Sequence, residues 1–167
     1  HDALNRGMPE RYMMSNPLSA EALNMLFLEA RTHNAWLDKP VPPSLLEKIW
    51  SIARMGPTSG NSSPARIVFV SSDAARKKLQ PCLSPGNVDK TMAAPVTAII
   101  GQDMTFYEKL PVLFPHADAR AWFVGNDPLI EETAFRNSSL QGAYLMLAAR
   151  AMGLDCGPMS GFDKDKI

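Results

Sequence analysis

The sequence has 167 residues, 46% of them hydrophobic and 20% charged, which suits one globular domain with a sizeable core. Lys plus Arg and Asp plus Glu each number 17, so no net field draws the chain to nucleic acid or an anionic membrane. No run reaches the roughly 18 apolar residues of a membrane span, the N-terminus lacks the basic start and apolar core of a signal peptide, and the widely separated Cys82 and Cys156 fit a reducing cytoplasm better than a disulfide framework.

The opening stretch, which begins without Met, reads as an N-terminal extension or cloning remnant over residues 1–18, with a single domain over 19–167. Ser19 followed by Glu21 and the apolar series Ala22, Leu23, Met25, Leu26, Phe27 and Ala30 predicts a capped amphipathic helix. It leads into Arg31-Thr32-His33-Asn34, a guanidinium, a hydroxyl and ring N–H groups that can meet an anion; a surface Arg with a capping Thr is the plainer reading. Pro43, the S-x-x-E box of Ser44 and Glu47, and the helical repeat of Leu46, Ile49, Trp50 and Ala53 predict a second helix ended by Gly56-Pro57.

The turn-rich stretch Pro57 to Pro64 follows, whose small polar side chains and amides either wrap a polar cofactor edge or simply join helix to strand. Ile67-Val68-Phe69-Val70 has the length and composition of a buried strand, Asp73 to Leu79 of a short helix, Pro81 to Asn87 of a loop, and Val96 to Ile100 of another strand. Asn87 and Lys90 share a face if a helix begins near Gly86. Residues 101–128 mix aromatics, prolines and charges without a period, as a lid of short helices and loops does. From about Glu131 to Met152, Ala134, Leu140, Ala143, Tyr144, Leu147, Ala148 and Ala151 predict a long, closely packed helix ending before Gly153. The Gly- and Pro-broken passage Leu154 to Phe162 then constrains the backbone.

His1, His33 and His116 are isolated, and no His/Cys/carboxylate cluster has a zinc spacing. G-x-S-x-G, G-x-x-x-x-G-K-[ST] and G-x-G-x-x-G are all absent, so hydrolase, P-loop and Rossmann readings lack their physical core.

Together the segments resemble the nitroreductase superfamily of FMN-dependent oxidoreductases in order, spacing and type over residues 19–167. The strings Ala30-Arg31-Thr32-His33-Asn34, Gly56-Pro57-Thr58-Ser59, Ser63 to Phe69, Leu113-Phe114-Pro115-His116 and Glu132 to Ser139 look like the malonic semialdehyde reductases of pyrimidine breakdown. The resemblance implies an α+β fold, a central, mostly antiparallel sheet flanked by helices, in an intertwined cytoplasmic homodimer with FMN at each of two interface sites and NADH or NADPH as hydride donor. It implies that Arg31, Thr32 and His33 contact the FMN phosphate and ribityl chain, that Asn87 and Lys90 approach the pyrimidine edge, and that Pro57, Thr58, Ser59 and Asn61 come from the other subunit. Pro158, Met159, Ser160 and Gly161 would run beside the flavin, with the Ser160 or Gly161 amide donating to N5. Ser160 stands where many relatives carry Glu, and the C-terminal strand and basic residues usual in the family are missing before Ile167. The implied reaction is ping-pong reduction of malonic semialdehyde to 3-hydroxypropionate, with Arg120, amid charged and aromatic neighbours, assigned to the substrate carboxylate. The alternatives are a general nitroreductase or quinone reductase and a non-catalytic FMN-binding scaffold.

Overall fold

The computed structural model describes residues 16–167, so the expected N-terminal extension lies largely outside the described residues. The chain divides into two compact units, the first ending at Ala30 and the second running over Arg31–Ile167. In the first, helix α1 (Ala20–Leu23) widens into a π-helical turn over Asn24–Leu28, and the Ser19 hydroxyl caps it by accepting the Ala22 N–H at 3.1 Å.

The second unit contains helix α2 (Pro43–Ala53), strand β1 (Ala65–Val70), helix α3 (Asp73–Leu79), helix α4 (Pro85–Ala93), strand β2 (Thr97–Gln102), the short helix α5 (Leu110–Leu113) and the long helix α6 (Asp127–Ala151). β1 and β2 pair antiparallel, with Ile67 opposite Ile100 and Phe69 opposite Ala98. A two-stranded sheet is marginal by itself; here both faces are covered. Ile67 and Phe69 join Ile49, Ala53, Leu145 and Ala148 of α2 and α6, whereas Val70 and Ile99 join Leu79, Cys82, Leu83 and Val88 on the opposite face. The secondary structure is thus α+β, as expected. Cover is incomplete along the sheet, because Val68 remains 57% exposed.

Two predicted helix starts move for the same reason. α2 begins at Pro43 with Pro42 as its cap and no side-chain capping bond, so Ser44 lies inside the helix and the expected Ser44–Glu47 box does not form. α6 starts at Asp127, four residues before Glu131, because Pro128 sits in the first turn, where a missing N–H costs no helical bond. The expected loop over 81–87 also gives way, since Pro85 starts α4.

The 101–128 region is packed rather than draped. Phe106, Leu110, Ala119 and Phe123 bury themselves against Ile130 and Ala134 of α6. Phe106 and Phe123 meet edge to face at 4.9 Å, a favoured aromatic geometry. The buried stripe of α6 also differs from the predicted one: it runs through Thr133, Ala134, Asn137, Ser138, Gln141, Gly142, Leu145 and Ala148, while Leu140 and Ala151 are exposed.

Candidate functional site

Three segments distant in sequence meet within the second unit. The Arg31 stretch joins the 154–162 passage through a parallel bridge between Thr32 and Cys156, in which the His33 N–H donates to the Cys156 carbonyl at 3.1 Å. The same passage reaches α4, where Gly161 O accepts the Ser84 N–H at 3.0 Å and Asn87 Nδ2 at 2.8 Å, and Leu83 bridges Phe162 antiparallel. α4 closes the ring on the Arg31 side. Trp36 Nε1 donates to the Lys90 carbonyl at 2.7 Å, and Lys90 Nζ donates to Asn34 Oδ1 at 3.2 Å.

Thr32, His33, Asn87, Lys90, Met159 and Gly161 are therefore joined on one network, and Arg31, Pro158 and Ser160 adjoin them in the chain. Pro starts α4 and the Asn87 to Lys90 spacing puts both on adjoining positions of one helix face, as predicted. Met159 is fixed by its Sδ, 3.5 Å from the buried Thr91 hydroxyl, which itself donates to Asn87 O at 2.7 Å. His33 Nε2 lies 3.5 Å from Asp155 Oδ1. Among the described residues, neither the Ser160 nor the Gly161 N–H donates to a protein acceptor, so two adjacent donors are available to a ligand. Burial pushes the Cys156 thiol up, which keeps it protonated and unsuited to nucleophilic work beside this network.

The 57–63 stretch belongs to a different set of contacts. Ser59 N–H donates to Asn137 Oδ1 at 2.8 Å, Asn61 Nδ2 to Leu113 O at 2.8 Å, and Ser63 N–H to Thr58 Oγ1 at 3.1 Å. The Tyr144 hydroxyl donates to Pro57 O at 2.9 Å. Asn137 and Tyr144 thus hold this loop and Gln141 holds the start of β1 just beyond it, its Oε1 accepting the Ala65 N–H, yet an apolar-period reading passes over Asn137 and Gln141. The available signal was an Asn and a Gln four residues apart on a helix whose other inward positions are small or apolar.

Arg120 forms a forked pair with Glu108, Nε to Oε2 at 2.7 Å and Nη2 to Oε1 at 2.9 Å, rather than pairing with the adjacent Asp118. It also lines a recess of about 300 Å³ with Pro111, Pro115, Ala117, Asp118 and Ala119. The Arg120 hydrogen bond is the chief reason the Glu108 carboxyl lies below its ordinary range. Among the described residues no cluster of His, Cys, Asp or Glu could hold a metal ion, and no helix is long and apolar enough to cross a membrane.

Residues 28–167 match the family described as the Nitroreductase family. The chain belongs to that family. A Burkholderia lata protein bearing the provisional name NADH dehydrogenase/NAD(P)H nitroreductase is 67% identical over 150 residues, which cover 90% of this chain and 77% of the relative. A similarly named protein of Polynucleobacter asymbioticus is 61% identical over 154 residues, covering 92% and 79%. Among solved structures, a provisionally assigned nitroreductase from Exiguobacterium sibiricum, in complex with FMN, superposes with a TM-score of 0.78 at 20% identity, covering 92% of this chain and 80% of its own. A Bacillus subtilis counterpart gives 0.74 at 22% identity, covering 87% and 76%. At such identities these two establish the nitroreductase fold alone.

Proposed function

We propose that this nitroreductase-family oxidoreductase binds FMN, takes hydride from NADH or NADPH, and reduces malonic semialdehyde to 3-hydroxypropionate as a cytoplasmic homodimer. The observation that carries the reading is the convergence of the Arg31 stretch, α4 and the 156–162 passage, with two adjacent amides left without protein acceptors. That donor set fits FMN: a guanidinium and an imidazole suit a phosphate, a cation suits the electron-rich pyrimidine edge, and an amide suits a ring nitrogen.

In this reading Arg31, Thr32 and His33 hold the phosphate and ribityl chain, while Asn87 and Lys90 face the pyrimidine edge. The Ser160 or Gly161 N–H donates to N5, and Pro158 and Met159 form the wall beside the ring. A second subunit contributes Pro57, Thr58, Ser59 and Asn61. Bound FMN supplies two-electron hydride transfer between donor and acceptor. The forked grip of Glu108 on Arg120 means that a substrate carboxylate at Arg120 must replace one carboxylate with another.

The provisional names of the relatives favour a second reading, in which flat nitroaromatics or quinones are the acceptors. One experiment separates the possibilities. Full-length protein is mixed with FMN, reduced anaerobically with NADH or NADPH, and then given malonic semialdehyde or a quinone. Bleaching of the flavin band and its faster return with the aldehyde supports the aldehyde reductase; faster return with the quinone supports the alternative. Bound FMN that never bleaches leaves a non-catalytic scaffold, and failure to bind FMN defeats the cofactor assignment.

A further inference from the structure

The backbone from Pro57 to Ala65 is set by three side chains of one helix. Asn137, Gln141 and Tyr144 of α6 are spaced i, i+4 and i+7, so all three project to one side. Asn137 Oδ1 accepts the Ser59 N–H, Gln141 Oε1 accepts the Ala65 N–H at 2.8 Å, and the Tyr144 hydroxyl reaches Pro57 O at 2.9 Å. Asn137 is further oriented by its Nδ2, which donates to Thr133 O at 2.8 Å. Room for the third contact depends on Gly56, where a Cβ would collide with the Tyr144 ring.

Two of these groups are essentially sealed from water, Asn137 at 1% and Gln141 at 2% exposure. Each supplies the acceptor for a main-chain N–H, and an apolar pair in their place would leave the Ser59 and Ala65 N–H groups without partners. Between the anchors the chain turns left-handed at Gly60, which glycine adopts freely, and also at Asn61 (φ 52°) and Ser63 (φ 41°), where a side chain makes that conformation depend on surrounding contacts. The outcome is a rigid backbone presenting the exposed Pro57, Ser59 and Asn61.

We propose that Asn137, Gln141 and Tyr144 are positioning residues that hold the 57–65 backbone in the geometry needed to grip the cofactor across the subunit interface. This rests on the FMN reading above. The ladder touches the loop, not the cofactor, so its removal should weaken FMN binding beyond any effect on folding.

The test measures FMN affinity by quenching of flavin fluorescence, and thermal unfolding without FMN, for wild type, Tyr144→Phe, Asn137→Ala and Asn137→Asp. Tyr144→Phe keeps the ring and loses one hydrogen bond, so Kd rises roughly threefold to tenfold while Tm moves by no more than about 3 °C. Asn137→Ala weakens binding by about tenfold or more, and Asn137→Asp, which keeps the oxygen facing Ser59 but sets its second oxygen against Thr133 O, recovers that loss only as the protonated acid, with affinity improving as pH falls. Wild-type Kd in both Tyr144→Phe and Asn137→Ala, whatever their Tm, overturns the positioning role while leaving the FMN reading intact. Absence of FMN binding by the wild-type protein overturns both.

Discussion

Replacing Gly157 with Ala places a methyl group where the Arg31 stretch already runs. A Cβ there would meet the His33 carbonyl oxygen well inside contact distance and the Trp36 ring at 3.0 and 3.1 Å. The obstacle is backbone on one side and an indole tethered to Lys90 O on the other, so no flexible side-chain tip can yield. Overpacking of this kind costs about 1–3 kcal/mol, and separating the two bridged segments also loses the His33 N–H to Cys156 O bond, worth about 1 kcal/mol. The sum, about 2–4 kcal/mol, corresponds to a Tm lowered by roughly 4–16 °C in a chain of this size. Thermal unfolding followed by circular dichroism measures it, with Gly86→Ala as the control. A Cβ at Gly86, in the first turn of α4, meets nothing within 4 Å, so that variant should keep its Tm or gain slightly. Gly157→Ala within about 2 °C of wild type would refute the close approach between the two segments.

Phe106→Ala removes a fully buried ring from the core under α6 and should cost about 3–5 kcal/mol, read as a lower urea midpoint. Burial raises the Asp103 carboxyl, but its hydrogen bonds from Thr105 and the Arg66 guanidinium outweigh burial and hold it below the ordinary carboxylate range. Its contribution to stability is therefore complete above the unfolded-state carboxylate value and lost as pH falls through the lower folded value. Asp103→Asn should flatten that part of the acid limb in urea titrations at successive pH values; an unchanged limb would count against it. Arg120→Ala should return the Glu108 carboxyl toward its usual range, measurable by NMR titration. If Arg120 also holds the substrate carboxylate, the same variant raises KM for malonic semialdehyde with kcat little changed, whereas an unaltered KM removes it from the site.

Legibility of the fold followed how locally each feature is specified. The two strands and α3 were readable because β-branched runs and the short polar helix between Ser72 and Leu79 need only neighbours in sequence. The starts of α2 and α6 differ from the predicted ones because Pro opens each helix rather than bounding it, its ring being preorganised for a first turn. The 101–128 segment had no period to read, since its order comes from Phe106, Leu110 and Phe123 meeting residues of α6 that lie more than ten positions away from Leu110.

The two halves of the candidate site differ in the same way. Residues of the Arg31 stretch, α4 and the 156–162 passage were recognisable by type, but their meeting depends on main-chain bridges such as Thr32 to Cys156 and Leu83 to Phe162, for which side-chain identity offers almost no signal. The 57–63 loop was recognisable by composition, whereas its conformation depends on Asn137 and Gln141, more than 70 positions away. Those two amides lie in a buried stripe on α6 whose other members are small or apolar, and a reading weighted toward apolar period passes over them. Burial reverses that weighting: an amide at 1% exposure must have partners. Here the partners are the main-chain amides of the loop whose side chains the family resemblance assigns to the cofactor. On the proposal that this loop grips FMN, its geometry is set from α6 through hydrogen bonds, and substitutions at Asn137 or Gln141 should change binding even though neither residue lies in the loop itself.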